Sequence, residues 1–397
     1  MLLIVTILFN LLSGIILLLS FILLIECIAA LFPSQIVINS SQSEWENISV
    51  SVLIPAHNEE TVITQTLTSI IPQLKSTDQI IVIADNCTDN TSEIVHKMGI
   101  KVISRDNSSL RGKGYALDFG LTYLAKNPPN IVIFIDADCY ISPDSIQNLT
   151  QKAMTTHKPV QGLYLMEKPP QPTPKHQISA FAFKVKNLVR PLGLYNVKQP
   201  CLLTGTGMAF PWEVIQKANL ASSHIVEDMK LGLDLAIANH SPIFCSRATI
   251  TGYLPQKQEA ATTQRTRWEH GHLQIALSYI PVLLKESLKQ RRLDLLVIAL
   301  DLSIPPLSLF VSLWLGITLI SFLIFTLSIS YIPLLISSIA GLMIFSAILT
   351  AWIKFGKEEI PLQTLIKIPL YILWKIPLYV KFLFKRESQW IRTERDS

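Results

Sequence analysis

Charged side chains are scarce in this sequence, and two stretches hold almost none. Charged residues make up only 16% of the 397 positions, whereas 49% are hydrophobic. Residues 1–32 contain one charged side chain, Glu26, and residues 302–353 contain none. Because about 20 apolar residues cross the hydrocarbon layer of a membrane, these stretches predict one crossing near the N-terminus and two within 302–353, with a turn at 327–333.

Lysine and arginine are missing before the first apolar run and from the turn between the last two. Basic residues are instead found in the middle of the chain and in the tail. The tendency of basic segments to stay inside predicts that the globular middle segment of an integral protein of the cytoplasmic membrane lies in the cytoplasm. The first run also lacks the basic start of a signal peptide, so we expect a retained anchor.

Cysteine is sparse, and its spacing excludes two classes of site. The five cysteines form no C-x-x-C pair, which argues against a zinc site and against a disulfide framework. No basic stripe interleaved with aromatic residues is present, so nucleic acid is not an expected partner. The net charge of +5 suits contact with anionic lipid headgroups.

The middle of the chain alternates between strand and helix patterns. Short β-branched runs near 49–55, 79–85, 100–105 and 130–136 are separated by segments with apolar residues at helical spacing. This order predicts an α/β fold with a mostly parallel sheet, flanked by N-terminal and C-terminal transmembrane helices.

Composition divides the chain into four expected segments. Residues 1–32 form the anchor, and 33–290 form the cytoplasmic domain, which ends in an interfacial helix. Residues 291–354 hold two transmembrane helices. Residues 355–397 combine lysines and prolines with apolar stripes, which favours a basic amphipathic tail at the membrane interface over a fourth crossing.

Acidic side chains follow three of the predicted strands. Glu59, Asp85 and the pair Asp136 and Asp138 all come where an apolar run ends. In parallel α/β sheets, ligands bind at the carboxyl ends of the strands, so these side chains are expected at one edge. Two like charges one residue apart need a positive partner, and a divalent cation is the expected one.

Further motifs follow in a fixed order. G-K-G-Y-A-L lies at 112–117, T-G-T-G at 204–207, E-D at 227–228 and Q-R-T-R-W at 264–268. With these motifs, residues 49–277 resemble the membrane-bound family 2 glycosyltransferases of the GT-A fold. That group contains cellulose, chitin, hyaluronan and poly-N-acetylglucosamine synthases. E-D followed by Q-x-x-R-W is the most specific part of the resemblance.

The resemblance implies a binding site for a UDP-sugar. Asp85 is expected to hold the nucleobase and ribose, with Pro55, Ala56 and Glu59 beside it; a simple turn-forming role is the alternative for Asp85. Lys113 is expected to meet nucleotide phosphate as a compact charge. Its alternative is a solvated surface lysine.

The resemblance also implies a Mg²⁺ or Mn²⁺ ion at the paired aspartates. Asp138 is expected to bind the metal directly, and Asp136 to lie closer to the ribose or to a metal-bound water. Both ions prefer carboxylate and phosphate oxygens. When bound, such an ion would bridge the diphosphate and act as a Lewis acid for the leaving group.

Asp228 is the expected general base. A single base that acts on the acceptor opposite the leaving diphosphate predicts inversion at the anomeric carbon. Glu227 is the weaker candidate for the base, because an acid at a helix N-terminus is favourable in itself. The residues expected to contact acceptor or diphosphate are Gln264, Arg267, Trp268, Gly205, Thr206, Gly207 and Glu227.

Two questions about the acceptor stay open at this point. Q-x-x-R-W favours a polysaccharide acceptor, but the same signature occurs in ceramide glucosyltransferases, which add one sugar to a lipid. Three crossings also make a thin scaffold for a polymer channel, so a homo-oligomer or an export partner is an additional expectation.

Three other classes are disfavoured. A nucleotidyltransferase needs a glycine-rich basic loop after the first strand, where this chain has the acidic P-A-H-N-E-E at 55–60. An inactive assembly subunit would be expected to lack Asp138, Asp228 or Arg267. A transporter is disfavoured because the spans are few and no charge pair is expected within them. His270 and His272 are expected to be a polar surface pair, without a metal.

Overall fold

A computed structural model describes residues 2–33, 46–222, 224–358 and 360–384. The described chain divides into two compact units. We call residues 46–170 and 199–275 the α/β unit, and residues 2–33, 171–198 and 276–384 the helical unit.

The strands all belong to the α/β unit. In chain order they are β1 (Val50–Ala56), β2 (Gln79–Asp85), β3 (Lys101–Arg105), β4 (Ile131–Phe134), β5 (Tyr140–Ile141), β6 (Val160–Glu167), β7 (Met208–Pro211) and β8 (Ile243–Tyr253).

The α-helices extend through both units. They are α1 (Leu2–Ala29), α2 (Ile63–Ile70), α3 (Thr91–Lys97), α4 (Lys113–Leu124), α5 (Ser145–Thr156), α6 (Pro174–Lys184), α7 (Arg190–Asn196), α8 (Trp212–Ile215), α9 (Glu227–Ile237), α10 (Gln258–Gln290), α11 (Leu293–Ser303), α12 (Leu307–Thr326), α13 (Ile332–Ala351), α14 (Leu362–Leu365) and α15 (Ile368–Phe384). A 3₁₀ turn follows α2 at Ile71–Gln73, and π-helical turns occur at Val185–Val189 and Trp352–Gly356.

The eight strands form one sheet in the order β3-β2-β1-β4-β7-β6-β8-β5. Strands β3, β2, β1 and β4 are parallel, as their helical crossovers require. β7 runs antiparallel to β4 and β6, β8 pairs parallel with β6, and β5 pairs antiparallel with β8. The predicted α/β class with a mostly parallel sheet is confirmed, and the mixed half from β5 to β8 is an addition to it.

Apolar residues of the central strands fill both faces of the sheet. In β1, Val52 and Ile54 belong to the core on one face, and Leu53 belongs to the core on the other. The strand register places Ala56 beside Ala84 and Leu53 beside Phe134. The polar residues that follow β1, β2 and β4 therefore emerge at one edge of the sheet.

Three helices of the described chain are long and apolar enough to span a membrane: Ile4–Ala29, Leu307–Thr326 and Ile332–Gly356. The predicted apolar helices at both ends of the chain are confirmed in this sense. α12 begins directly after Pro306, whose fixed φ and missing N–H suit a helix start. The break between the last two helices covers 327–331, within the expected turn.

The helical unit buries a charged triad. The Nε of Arg190 donates to Oε2 of Glu26 at 2.9 Å, and Nη2 of Arg190 donates to the carboxylate and the backbone carbonyl of Asp301. All three side chains are buried. Glu26 lies in the last turns of an apolar span, whereas Arg190 and Asp301 lie outside the candidate spans, so the expectation of no charge pair within the spans stays a prediction. A buried carboxylate needs such a partner because desolvating it alone is costly.

Helix α15 turns two of its polar side chains inward. Lys375 is buried with its ammonium 5.1 Å from the centre of the Tyr371 ring, and the hydroxyls of Tyr379 and Ser308 lie 2.6 Å apart. The exposed positions are mostly apolar and include Leu370, Leu373, Ile376, Val380 and Phe384, beside the exposed Lys381. An apolar exposed face suits contact with hydrocarbon; the placement of this tail at the interface stays a prediction.

Candidate active site

The paired aspartates lie directly beyond β4. The backbone N–H of Asp136 donates to Oγ1 of Thr206 at 3.0 Å, which fixes the chain where it leaves the sheet. Ligand atoms of Asp136, Asp138 and Cys139 lie within 4.8 Å of one another. Burial raises the pKa of the Cys139 thiol well above its ordinary value, so this sulfur stays protonated. Two half-exposed carboxylates remain, and their oxygens suit a hard divalent cation.

Lys113, the first residue of α4, points into a group of oxygen atoms. Its Nζ donates to the carbonyl of Gly205 at 2.7 Å, pairs with the carboxylate of Asp136 and lies 3.9 Å from Oε1 of Glu227. Burial acts to lower the pKa of Lys113, but the carboxylates of Asp136 and Glu227 outweigh it and raise that pKa above its ordinary value. Lys113 is therefore a charged, inward-facing residue, and the surface alternative does not describe it.

The T-G-T-G loop brings backbone against the acidic pair. Gly205 has φ +98° and Gly207 has φ +66°, in the left-handed region that favours glycine. A Cβ on Gly205 would stand 3.3 Å from Oδ2 of Asp228, and a Cβ on Gly207 would meet Ile250 at 2.3 Å. Glycine at 205 allows the loop to pass close to Asp228, and glycine at 207 allows it to pass close to Ile250.

Glu227 and Asp228 form the first turn of α9, where acidic side chains interact favourably with the helix dipole. Burial raises the pKa of Glu227 to about 7, although the nearby Lys113 ammonium opposes the shift. Asp234, two turns further along, pairs with Lys230 at 2.6 Å. The two acids of the E-D motif thus share a pocket with Lys113 and Gly205.

Asp85 is held in a second polar network at the end of β2. Nη1 of Arg105 donates to Oδ1 of Asp85 at 2.6 Å, and Nδ1 of His57 lies 2.7 Å from the Asp85 carbonyl. Burial raises the pKa of the Asp85 carboxyl despite the Arg105 guanidinium. The sequence reasoning missed Arg105 and His57. The strand pairing explains Arg105, because it lies beside Asp85 in the β2–β3 register.

The remaining residues predicted for the donor lie at the end of β1. Pro55 and Ala56 are its last two residues. Glu59 is buried in the turn that follows, where Oγ1 of Thr91 accepts a hydrogen bond from its backbone N–H at 2.8 Å. This bond ties the turn after β1 to the start of α3.

The Q-x-x-R-W residues lie on helix α10. Gln264 is buried, and Arg267 and Trp268 are half-buried. Gly271 follows at helical spacing on the same face, and a Cβ there would meet Cγ1 of Val226 at 2.5 Å. Val226 directly precedes the E-D pair, so this face of α10 packs against the start of α9.

His270 and His272 are not the polar surface pair that the sequence suggested. Both side chains are buried, with exposed fractions of 0% and 4%. The two residues are on different sides of α10, so this helix is enclosed on more than one face here. The sequence pattern could not show this, because the enclosing residues come from elsewhere in the fold.

Taken together, the described side chains define a class of protein. An α/β sheet collects a lysine, four acids and a glycine loop at one edge, as ligand-binding sheets of this kind do. The residues joined directly or through one neighbour are Lys113, Asp136, Asp138, Gly205, Glu227 and Asp228. This is the arrangement of an α/β sheet with a polar, ligand-binding edge.

The chain belongs to the family described as "Glycosyltransferase like family 2", whose model matches residues 47–271, more than half of its length. Residues 47–271 thus form a glycosyltransferase domain of this family. The likeness to cellulose and hyaluronan synthases in particular stays a prediction.

Two relatives and one solved structure agree with the family. The chain is 27% identical to the probable glycosyltransferase YdaM of Bacillus subtilis over 62% of this chain and 59% of that protein. It is 30% identical to a 4,4'-diaponeurosporenoate glycosyltransferase of Staphylococcus haemolyticus over 46% of this chain and 50% of that protein. The chain thus spans little more than half the length of these relatives.

The solved structure is a mannosyltransferase from Pyrobaculum calidifontis in complex with GDP-Man and Mn²⁺. It matches with a TM-score of 0.53 and 16% identity, covering 95% of this chain and 100% of that one. At this identity the match shows a shared fold. It supports the GT-A-like fold class.

Proposed function

We propose that this enzyme transfers a sugar from a UDP-sugar to a polysaccharide or lipid acceptor at the cytoplasmic face of the membrane, with inversion at the anomeric carbon. The observation that carries the proposal is the cluster around Lys113, in which Asp136, Gly205 and Glu227 surround one ammonium group. The Lys113 ammonium lies among carboxylates, and together with a second cation it can pair with the diphosphate of a nucleotide sugar.

Asp138 and Asp136 would hold that second cation, Mg²⁺ or Mn²⁺. Their carboxylates form a donor set of hard oxygens, which fits either ion. When bound, the ion would supply Lewis-acid stabilisation of the leaving diphosphate. Lys113 contributes a fixed positive charge from the side of Gly205, where it stays protonated.

Asp228 is the proposed general base. Its carboxylate lies against the Gly205 backbone, in contact distance of a Cβ that glycine lacks. A carboxylate at this position can receive the proton of an acceptor hydroxyl that comes within hydrogen-bond reach. Glu227 is assigned a positioning role, because its Oε1 lies 3.9 Å from Nζ of Lys113.

Asp85 and Arg105 form the proposed nucleoside end of the donor site. Their ion pair is buried at the same sheet edge as the aspartate pair, with Pro55, Ala56 and Glu59 on the neighbouring strand exit. Gln264, Arg267 and Trp268 form the proposed acceptor side, because their helix face packs next to Val226 and the E-D pair.

The acceptor class has two candidates. Q-x-x-R-W favours a polysaccharide acceptor. The three candidate spans favour a reaction at the membrane. A homo-oligomer or an export partner would assist the passage of a long product. A relative named for glycosylating 4,4'-diaponeurosporenoate keeps single addition to a lipid-like acceptor as the second candidate.

A donor screen tests the proposal. Purified protein in detergent would be incubated with Mg²⁺ or Mn²⁺ and a panel of UDP- and GDP-sugars, and release of nucleoside diphosphate would be measured. We expect release from a UDP-sugar and loss of release with excess EDTA. Sizing the product formed with lipid acceptors separates single addition from polymerisation. Release of pyrophosphate from a sugar phosphate and UTP would instead indicate a nucleotidyltransferase.

A further inference from the structure

Gln161 is a buried polar residue of β6 that the account of the site has not used. It is 1% exposed in the middle of the sheet. Its Nε2 donates to the carbonyls of Gly162 at 2.8 Å and Thr206 at 2.9 Å, and its Oε1 accepts the backbone N–H of Thr204 at 2.8 Å. The side-chain amide of Gln161 therefore bonds to the T-G-T-G loop through both its nitrogen and its oxygen.

The loop that Gln161 contacts contains a buried polar group without a partner. The Thr204 hydroxyl is buried and has no hydrogen-bond partner in the part of the chain that is described. An unsatisfied buried hydroxyl destabilises a structure. Contacts from outside the loop must offset this cost, and the amide of Gln161 supplies two of them, to the N–H of Thr204 and the carbonyl of Thr206.

The far end of the loop is fixed differently. The backbone N–H of Gly207 donates to Phe134 at 2.9 Å, and its carbonyl accepts from Gly162 at 2.8 Å. These are ladder-like bonds that continue the sheet. Gln161 bonds the first part of the loop at Thr204 and Thr206, beside the bonds from Lys113 to Gly205 and from Asp136 to Thr206.

We propose that Gln161 is a positioning residue of the transfer reaction, because its amide fixes the loop in the shape that holds Lys113 and faces Asp228. The inference rests on the proposed function, in which Lys113 and Asp228 act on donor and acceptor. Small displacements of reacting groups lower turnover strongly. Loss of the amide should therefore slow the reaction without removing any group that touches the substrate.

The chain offers a matched control in Gln73. This half-buried glutamine also makes three bonds to backbone: Nε2 donates to the carbonyls of Ser69 at 2.8 Å and Ile141 at 3.3 Å, and Oε1 accepts from the N–H of Ile146 at 3.2 Å. Gln161→Met and Gln73→Met each remove three such bonds from the α/β unit at nearly constant side-chain volume. They differ in whether the bonds hold the Gly205 loop.

The experiment compares Gln161→Met, Gln73→Met and Asp228→Asn in the purified full chain. It measures kcat and KM for the donor, UDP affinity and Tm. We expect both methionine variants to lower Tm. Only Gln161→Met should lower kcat, by about 10- to 100-fold, while UDP affinity changes little. Equal kcat in the two methionine variants, after correction for folded fraction, would overturn the inference.

Two further arms keep the outcomes separate. Gln161→Glu keeps the acceptor for Thr204 but loses the donor to Thr206 unless the buried carboxyl is protonated, so its activity relative to wild type should rise as pH falls from about 8 to about 6. If the ratio of Gln161→Glu activity to wild-type activity does not change with pH, the positioning role is contradicted. This test also applies if Gln161→Met does not fold. An active Asp228→Asn would refute the proposed base, whatever Gln161→Met shows.

Discussion

Gly271 lies directly against Val226, so that a Cβ on the glycine would stand 2.5 Å from Cγ1 of the valine. This contact joins the helix of Gln264, Arg267 and Trp268 to the residue before Glu227. The absence of one methyl group thus allows α10 to pack closely against the residue before the E-D motif, although Glu227 and Gln264 are 37 positions apart in the sequence.

The first prediction concerns this contact. Gly271→Ala should displace α10 from Val226, destabilise the protein by about 1–3 kcal/mol through overpacking and lower kcat/KM by about tenfold or more. Thermal unfolding and donor turnover are the measurements. Adding Val226→Ala should restore part of the loss. Gly316→Ala is the control, because a Cβ there meets nothing within 4 Å; equal effects of the two glycine substitutions would contradict the prediction.

The second prediction concerns pH. Burial raises the pKa of Glu227 from 4.5 to about 7 in the folded protein. Between these values the folded state keeps a proton that the unfolded state has lost, so the stability from this group falls as pH rises through the window. Glu227→Gln has no carboxyl group to ionise here, so its stability does not show this fall. The Tm of the variant minus that of wild type should increase from about pH 5 to about pH 8, and a decreasing difference would show the opposite shift.

The third prediction concerns the proposed metal. Asp138→Asn should raise the Mg²⁺ or Mn²⁺ concentration for half-maximal activity by about tenfold or more, because a neutral amide is a poorer ligand for a hard cation. Asp144→Asn is the control: Asp144 is exposed six residues further on, and its φ of +62° suits asparagine. Identical metal titrations for the two variants would argue against Asp138 as a ligand.

The fourth prediction concerns the buried triad. Arg190→Met should leave the carboxylates of Glu26 and Asp301 buried without their cation and destabilise the protein by about 3–5 kcal/mol. Lys354→Met, at an exposed position of the helical unit, should have little effect. The readout is Tm in detergent. Adding Glu26→Gln and Asp301→Asn should recover stability; a triple variant no better than Arg190→Met would show that charge is not the cause.

The sequence could predict the strands that build the parallel half of the sheet, because each is a short apolar run closed by turn residues. Strands β1 to β4 lie close to the expected positions, and Asp85 and Asp136 leave the sheet at one edge as the α/β pattern requires. The mixed half was harder to predict. β5 has two residues, and the β6–β8 pairing shifts register between Gly162 and Leu163.

Contacts between distant residues mark the limit of the sequence reasoning. The pairing of Arg105 with Asp85, the inward direction of Lys113 and the grip of Gln161 on Thr204 depend on strand neighbours that periodicity does not identify. The burial of His270 likewise depends on packing around α10. The expected roles of the site residues stay predictions until variants are measured.

The most direct test of the account is the turnover of Asp228→Asn with a UDP-sugar, a divalent cation and an acceptor, beside UDP binding to the same variant. The substitution keeps the shape of the side chain next to Gly205 and removes its ability to take a proton. The account predicts a loss of transfer of about 100-fold or more with UDP affinity near that of wild type. Transfer at the wild-type rate would contradict it.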